Sequence, residues 1–406
     1  MFSFLPWELN QLIIDNLYDR KETLLSICLV CKHAVPFARR HLFYRLHGRF
    51  KKELGSGGVR IAGSGADQED EQTSRLYLVL RGTLKVGDYV RSISLENPSY
   101  NWFRTSGALL QRVFPNLREV RISNASWNVL PPLFLHHQRS TIASGRLKGV
   151  RSVVMVGTIW SEIEHLERFL TMFPDCDALT IRRSTIGSEQ VSTYTGFNNR
   201  LPSGFHKLTL DDTDKFSILK WIQLKSHPSS RLTTLTLRKL STKESAVVGE
   251  LLKSLEDALS YLDISFKVDG EVMASAGKFD LSRNTELDTL IFDDWSMSGW
   301  VPREWSLSIL RTIRSKRLTT LQFSYRVSDP ILLPLAELAP FLNAMPFPNV
   351  KTVQFVNRQP FINEKRERSE LMNRLPGLVV KGVFQHAAEP KDITTESFLD
   401  RYYLDT

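Results

Sequence analysis

The sequence predicts a mixed α/β chain, with a short helical module at the N-terminus and a long stack of strand–helix repeats behind it. Two observations carry that prediction. Apolar residues fall at helical spacing through residues 1–46, and a phrase of the form apolar-x-x-apolar-x-apolar returns ten times afterwards. Helix-start signals between the phrases say what joins them.

In the first module Leu5, Leu9, Ile13 and Leu17 recur at i, i+4 and share one helix face. Pro6 falls in the first turn, where an N–H has no intrahelical partner to lose. Asp19 and Glu22 have capping-box spacing and are expected to open a second helix through Leu24, Leu25, Cys28 and Cys31. A third is expected after Pro36, with Ala38, Leu42 and Leu46 on one side and Arg39 and Arg40 on the other. Modules of roughly 40–60 residues are marginal alone, so a leftover apolar face implies a docking partner.

The runs Leu5-Pro6-Trp7-Glu8-Leu9, Leu29-Val30-Cys31-Lys32 and Arg39-Arg40-His41-Leu42-Phe43 resemble an F-box, in the version common in mushroom-type fungi. The resemblance implies that Leu5, Pro6, Leu9, Ile13, Leu25 and Val30 face a Skp-type linker or the small core. It implies further that the linker joins a cullin scaffold, and that the rest of the chain presents a protein substrate for ubiquitin transfer. Such an adaptor supplies proximity and specificity and is not itself an enzyme. The family usually has a tryptophan where this chain has Ala34, and Ala34→Trp is expected to strengthen linker capture.

Residues 47–84 read as an irregular first repeat. Arg45 to Phe50 is its candidate strand and Ser74 to Leu80 its candidate helix. Between them Gly55-Ser56-Gly57-Gly58, Gly63-Ser64-Gly65 and Glu69-Asp70-Glu71 cannot bury a core and are expected to form a mobile loop. The Gly-Lys-Ser/Thr ending of a phosphate-binding loop is missing there.

The ten phrases are Val90-Ile93-Leu95, Leu117-Val120-Ile122, Val150-Val153-Met155, Cys176-Leu179-Ile181, Phe205-Leu208-Leu210, Leu232-Leu235-Leu237, Leu259-Leu262-Ile264, Leu287-Leu290-Phe292, Leu318-Leu321-Phe323 and Val350-Val353-Phe355. The last two apolar residues of each alternate with polar ones and so share one face of a short strand. Ser241 with Glu244, and Ser161 with Glu164, have capping-box spacing ahead of helical runs. The pattern resembles leucine-rich repeats. It implies a curved leucine-rich-repeat-like solenoid over residues 85–385 with a parallel concave sheet, because strands pack closer than helices. Residues 386–406 are expected to be a C-terminal cap or tail. Few phrases are followed by the asparagine of the repeat consensus (Asn124 is one), so irregular loops are expected.

The chain has 406 residues, of which 42% are hydrophobic and 24% charged, which is ordinary for a globular protein. No secretory signal and no membrane-length apolar run is visible. Three cysteines cannot build a disulfide framework, so a reducing compartment, cytoplasm or nucleus, is expected. The net charge of +9 reads as solvated helix faces, and nucleic acid is not an expected partner without aromatic platforms or a docking motif.

Catalytic, metal and cofactor residues are not expected. Cys28-x-x-Cys31 offers two ligands inside an apolar helix pattern, and His136-His137 stands without nearby ligands. Asp211-Asp212 and Asp293-Asp294 follow strands, where turn chemistry explains them. What remains is surface. Asp211, Arg238, Tyr261, Asp263 and Asp293 occupy outward strand positions leading to a loop with Trp295, Trp300 and Trp305, which reads either as local core, with one or two tryptophans packed under it, or as part of a substrate site whose acidic charge favours a basic segment flanking an apolar anchor. A ligase-independent scaffold or inhibitor on the same repeats is the alternative.

Overall fold

Each of the ten phrases places its last two apolar residues on a strand, and all three apolar positions of every phrase are buried. The structure is a computed structural model that describes residues 7–17, 20–49, 86–98, 110–127, 147–187, 204–225, 232–267, 277–293, 305–326, 333, 335–344, 347–358 and 363–388. It is a mixed α/β protein with N-terminal helices and a large parallel sheet. The described residues fall into two compact units, one drawn from Met1–Lys207 and Lys220–Ser230, the other from Leu208–Leu219 and Arg231–Thr406.

The first unit opens with α1 (Trp7–Asp15), α2 (Lys21–Val30) and α3 (Val35–Leu42). Its strands are β1 (Arg45–Arg49), β2 (Ser92–Glu96), β3 (Glu119–Ser123), β4 (Ser126–Trp127), β5 (Ser152–Val156), β6 (Ile159–Trp160), β7 (Ala178–Arg182) and β8 (Thr185–Ile186). Strands β1, β2, β3, β5 and β7 pair in that order, all parallel and without a register shift. The expected first strand is therefore real and joins the sheet. It begins inside the expected helical module, and Leu46, expected on the third helix, lies on β1. The Gly-rich and acidic loop and the helix Ser74 to Leu80 lie outside the described residues.

Strands β4, β6 and β8 form a second parallel sheet behind β3, β5 and β7. This corrects the expected curvature, since the sheet is not curled. The expectation rested on a wide helix behind each narrow strand. Trp127 and Trp160 project from this second sheet, meeting edge-on at 4.4 Å and packing on Phe169 of the helix Ile163–Leu170. Ser161 does not cap that helix. Glu162 is its N-cap residue, and Ser161 Oγ bonds His165 Nδ1 at 2.6 Å.

The phrase on β9 (Lys207–Asp211) comes next in the chain. In the second unit β10 (Thr234–Leu240), β11 (Tyr261–Phe266), β12 (Thr289–Phe292), β13 (Thr320–Tyr325), β14 (Thr352–Asn357) and β15 (Phe384–Ala388) pair in chain order, again all parallel. Strand β15 runs across the boundary expected at 385/386. The helix Thr242–Leu255 starts as expected, with Glu244 Oε2 accepting from the Ser241 N–H at 2.7 Å.

Two hydrogen-bond patterns recur although the loop residues differ. The residue after a strand turns left-handed at Asn97, Asn124, Gly157, Arg183 and Asp212, and Lys239 does so near the end of β10, with φ of 47° to 62°. Asn97, Asn124 and Gly157 each donate their N–H to the last carbonyl of the next strand, at 2.8, 2.9 and 2.8 Å. The turn that leaves the strand is thus regular at these three positions, and most of the loops beyond it lie outside the described residues. Arg183 and Lys239 adopt the same conformation, which costs about 1–2 kcal/mol, and the Lys239 N–H donates to Ser265 Oγ at 2.9 Å. Gly157 has a further reason, because a Cβ there would sit 2.9 Å from Asn124 Oδ1. Before the strands, one carbonyl accepts two successive N–H groups from the next repeat, as Arg118 O does from Arg151 and Ser152, and Ser260 O from Asp288 and Thr289.

Candidate functional site

The helical module has a very small core. Ile14, Leu24, Ile27, Ala34 and Ala38 are buried together, with Leu17, Cys28, Cys31, Phe37 and Leu42 packed around them. His41 Nε2 meets Asp15 Oδ1 at 2.6 Å and ties α3 to α1. On the outside Leu9, Leu12, Ile13, Leu25 and Leu29 are 46, 58, 40, 53 and 88% exposed. Of the expected linker-facing residues, Leu9, Ile13 and Leu25 therefore present apolar surface to solvent. Leu5 and Pro6 lie outside the described residues, as does the side chain of Val30. Sequence reasoning missed Leu12 and Leu29. The signal was there: Leu12 lies i+3 from Leu9, and Leu29 lies i+4 from Leu25.

Two expectations for this module change. Helix α2 begins at Lys21 with Arg20 as N-cap and no side-chain cap bond, and Asp19 lies outside the described residues. Ala34 is 4% exposed within the core, so a tryptophan there would overpack it, at about 1–3 kcal/mol, rather than add contact surface.

On the outward face of the second unit the structure brings together Arg238, Asp263 and Asp293, and adds Arg358, which the sequence reading did not single out. Arg238 Nη2 donates to Asp263 Oδ2 at 2.9 Å, Arg238 Nε lies 3.2 Å from Asp293 Oδ2, and Arg358 Nη1 pairs with Asp293 Oδ1. Both aspartates are buried. Burial opposes the charge on Arg238, but Asp263 and Asp293 outweigh it and hold the guanidinium protonated. Tyr261 is half-buried beside them. Burial first, then Asp263, raises its phenol above the usual value.

The expected acidic patch is therefore replaced by a neutralised ion-pair cluster. Asp211 is half-buried close to Lys215 and Arg238. Trp295 and Trp300 lie outside the described residues, whereas Trp305 is core, edge-on to Phe266 at 4.8 Å. Arg238→Leu should lower stability by about 3 kcal/mol, because Asp263 loses its hydrogen-bonding guanidinium. Arg358→Leu should cost clearly less, since Asp293 retains Arg238; urea midpoints of the two variants check the order.

A second polar cluster in this unit was not foreseen. Glu367, on the helix Glu364–Arg374, accepts from Asn357 Nδ2 at 2.7 Å and lies 3.2 Å from His386 Nε2 on β15. Tyr325 is buried beside Glu367, and burial first, then that carboxylate, drives its phenol far above the usual range. Strand register explains His386: it pairs with Phe355 and so occupies an inward position that the phrase fills with an apolar residue.

Other reactive side chains are occupied structurally. Lys215 is fully buried, donates through Nζ to Thr213 O at 3.1 Å and Lys239 O at 3.3 Å, and burial lowers its pKa. Burial pushes the Cys176 thiol up to about 12. Among the described residues no group of three or more His, Cys, Asp or Glu side chains could hold a metal ion, and no helix is long and apolar enough to cross a membrane. No family model matches the chain, and no curated protein matches its sequence.

Proposed function

We propose that the chain is a substrate-recognition adaptor of an SCF-type cullin–RING ubiquitin ligase. In this reading α1 and α2 dock a Skp-type linker, and leucine-rich-repeat-like strands beyond them hold a protein substrate without performing chemistry. The observation that carries it is the face of Leu9, Leu12, Ile13, Leu25 and Leu29, exposed on a module whose own core is too small to use them. The recurrent left-handed turns and shared carbonyls support a repeat stack as the recognition part.

Leu9→Asp combined with Ile13→Asp should weaken capture of a purified Skp-type linker on the order of a hundredfold or more, because two carboxylates would be desolvated at the interface. Both side chains are already exposed in the free chain, so the melting temperature should not move. Unchanged linker capture by that double variant would remove the adaptor reading. A ligase-independent scaffold or inhibitor built on the same repeats is the second reading. Stable co-purification with the linker separates the two.

A further inference from the structure

At the strand entries of the first unit, one residue per repeat occupies an equivalent position. The carbonyls of Tyr44, Arg91, Arg118, Arg151 and Asp177 each accept two successive N–H groups from the next repeat, at 2.8–3.0 Å. Adjacent strands lie about 4.8 Å apart, so this ladder sets Arg91, Arg118 and Arg151 side by side in one row. Three neighbouring guanidiniums repel one another, and little counter-charge relieves them. Arg91 Nη1 donates to the Asp88 and Val90 carbonyls at 2.6 and 3.4 Å, and Arg118 Nη1 to Gly149 O at 3.3 Å. Arg151 Nη1 stands 4.0 Å from Asp177 Oδ2, with its side chain 66% exposed. Among the described residues no carboxylate lies within ion-pair distance of Arg91 or Arg118.

A cavity of about 350 Å³ opens against this row, bounded by Arg118, Arg151, Asp175, Asp177, Gly204 and His206. That is near the lower end of the roughly 300–1,000 Å³ of ligand sites. Gly149 ties its two sides together. The Gly149 N–H donates to Asp175 Oδ2 at 2.8 Å, while its carbonyl accepts from Arg118. The other oxygen of Asp175 takes no donor from the described residues. One side of the cavity therefore offers guanidinium donors and the other a carboxylate acceptor. A ligand carboxylate beside a peptide N–H satisfies both. A phosphate dianion has no N–H to give and is repelled by Asp175 and Asp177.

We propose that this cavity and the arginine row beside it bind an acidic, extended peptide segment of the form Glu-x-Glu. One glutamate enters the cavity, where Arg118 and Arg151 donate to its carboxylate and Asp175 accepts from a backbone N–H of the segment. The second glutamate meets Arg91. Alternate side chains of an extended segment lie about 6.8 Å apart, within the roughly 9.6 Å that two strand spacings put between Arg91 and Arg151. The site stands apart from the apolar face of α1 and α2 and does not rest on the adaptor reading.

The test uses the full chain and the fluorescence anisotropy of a labelled Gly-Glu-Ser-Glu-Gly amide at low ionic strength, where exposed charges are least screened. Arg118→Gln should weaken binding about tenfold, the loss of one charge-assisted hydrogen bond. The melting temperature should not move, because the ladder uses only the backbone of this exposed residue. Gly204→Leu should abolish binding with every charge intact. A Cβ there meets only Asp177 Cβ, at 3.9 Å, so the fold accepts the side chain that fills the cavity. Arg317→Gln removes a 70% exposed arginine of the second unit and should leave the affinity unchanged. The proposal fails if the peptide does not bind, or if its glutamine counterpart, Gly-Gln-Ser-Gln-Gly amide, binds as well. It fails equally if Arg118→Gln or Gly204→Leu retains full affinity, if Arg317→Gln costs as much as Arg118→Gln, or if inorganic phosphate at equal ionic strength displaces the labelled peptide as well as the unlabelled peptide does.

Discussion

Leu235→Asp is expected to unfold the second unit, lowering its stability by more than about 4 kcal/mol. Leu235 is fully buried on β10 and pairs in register with Leu262, which pairs with Leu290, then Leu321, then Val353. A carboxylate in that row would be desolvated among Leu262, Leu290, Leu321 and Val353. Stability of a stack of this kind is a sum of nearest-neighbour terms, so the loss should spread to adjacent repeats. Thr352→Asp is the matching control, because Thr352 faces the opposite side of its strand and is half-exposed. It should cost no more than about 1 kcal/mol. Urea titration of both variants decides the matter, and equal midpoints would mean that strand parity has been misassigned.

That inward row is also why so much of the fold was legible. A buried parallel strand admits only apolar residues at alternate positions, so the phrase is written directly into the chain and survives changes of residue type from Cys176 to Phe355. Loop geometry was less legible. The left-handed turn falls on Arg183, Asp212 and Lys239, residue types whose identity does not announce it. The second sheet was not foreseen because two-residue strands such as Ile159–Trp160 are too short to leave a periodic signal. The extra strand β15 was hidden for another reason: one of its inward positions holds a histidine.

The candidate sites divide in the same way. Exposure of Leu9, Ile13 and Leu25 followed from the surplus of apolar residues in a module too small to bury them. The charge cluster did not follow. Outward strand positions identified Arg238, Asp263 and Asp293, but whether such residues face a ligand or one another depends on cross-strand distance, which no single sequence states. Arg358 completes the cluster from a position after β14, far from Asp293 in sequence and adjacent only through the sheet.

Glu367→Ala should be the most damaging single change at a polar position, costing about 3–5 kcal/mol. The carboxylate has Asn357, His386 and Tyr325 around it, and all three side chains are withdrawn from solvent. Deleting it would leave three buried polar groups to find new partners, each costing about 1–3 kcal/mol if none is found, and would open a cavity besides. Glu367→Gln should cost less, since an amide oxygen can still accept from Asn357 Nδ2. The informative variant is double. Register makes the His386 position equivalent to Phe355, an apolar site, and so Glu367→Leu with His386→Leu converts the cluster toward the pattern of the preceding strand. Replacing both members of a buried pair is often neutral or stabilising, whereas removing one is not. The double variant should therefore recover most of the stability lost in Glu367→Ala. If thermal unfolding instead shows the two losses adding, Glu367 and His386 act independently and the cluster is not a coupled unit.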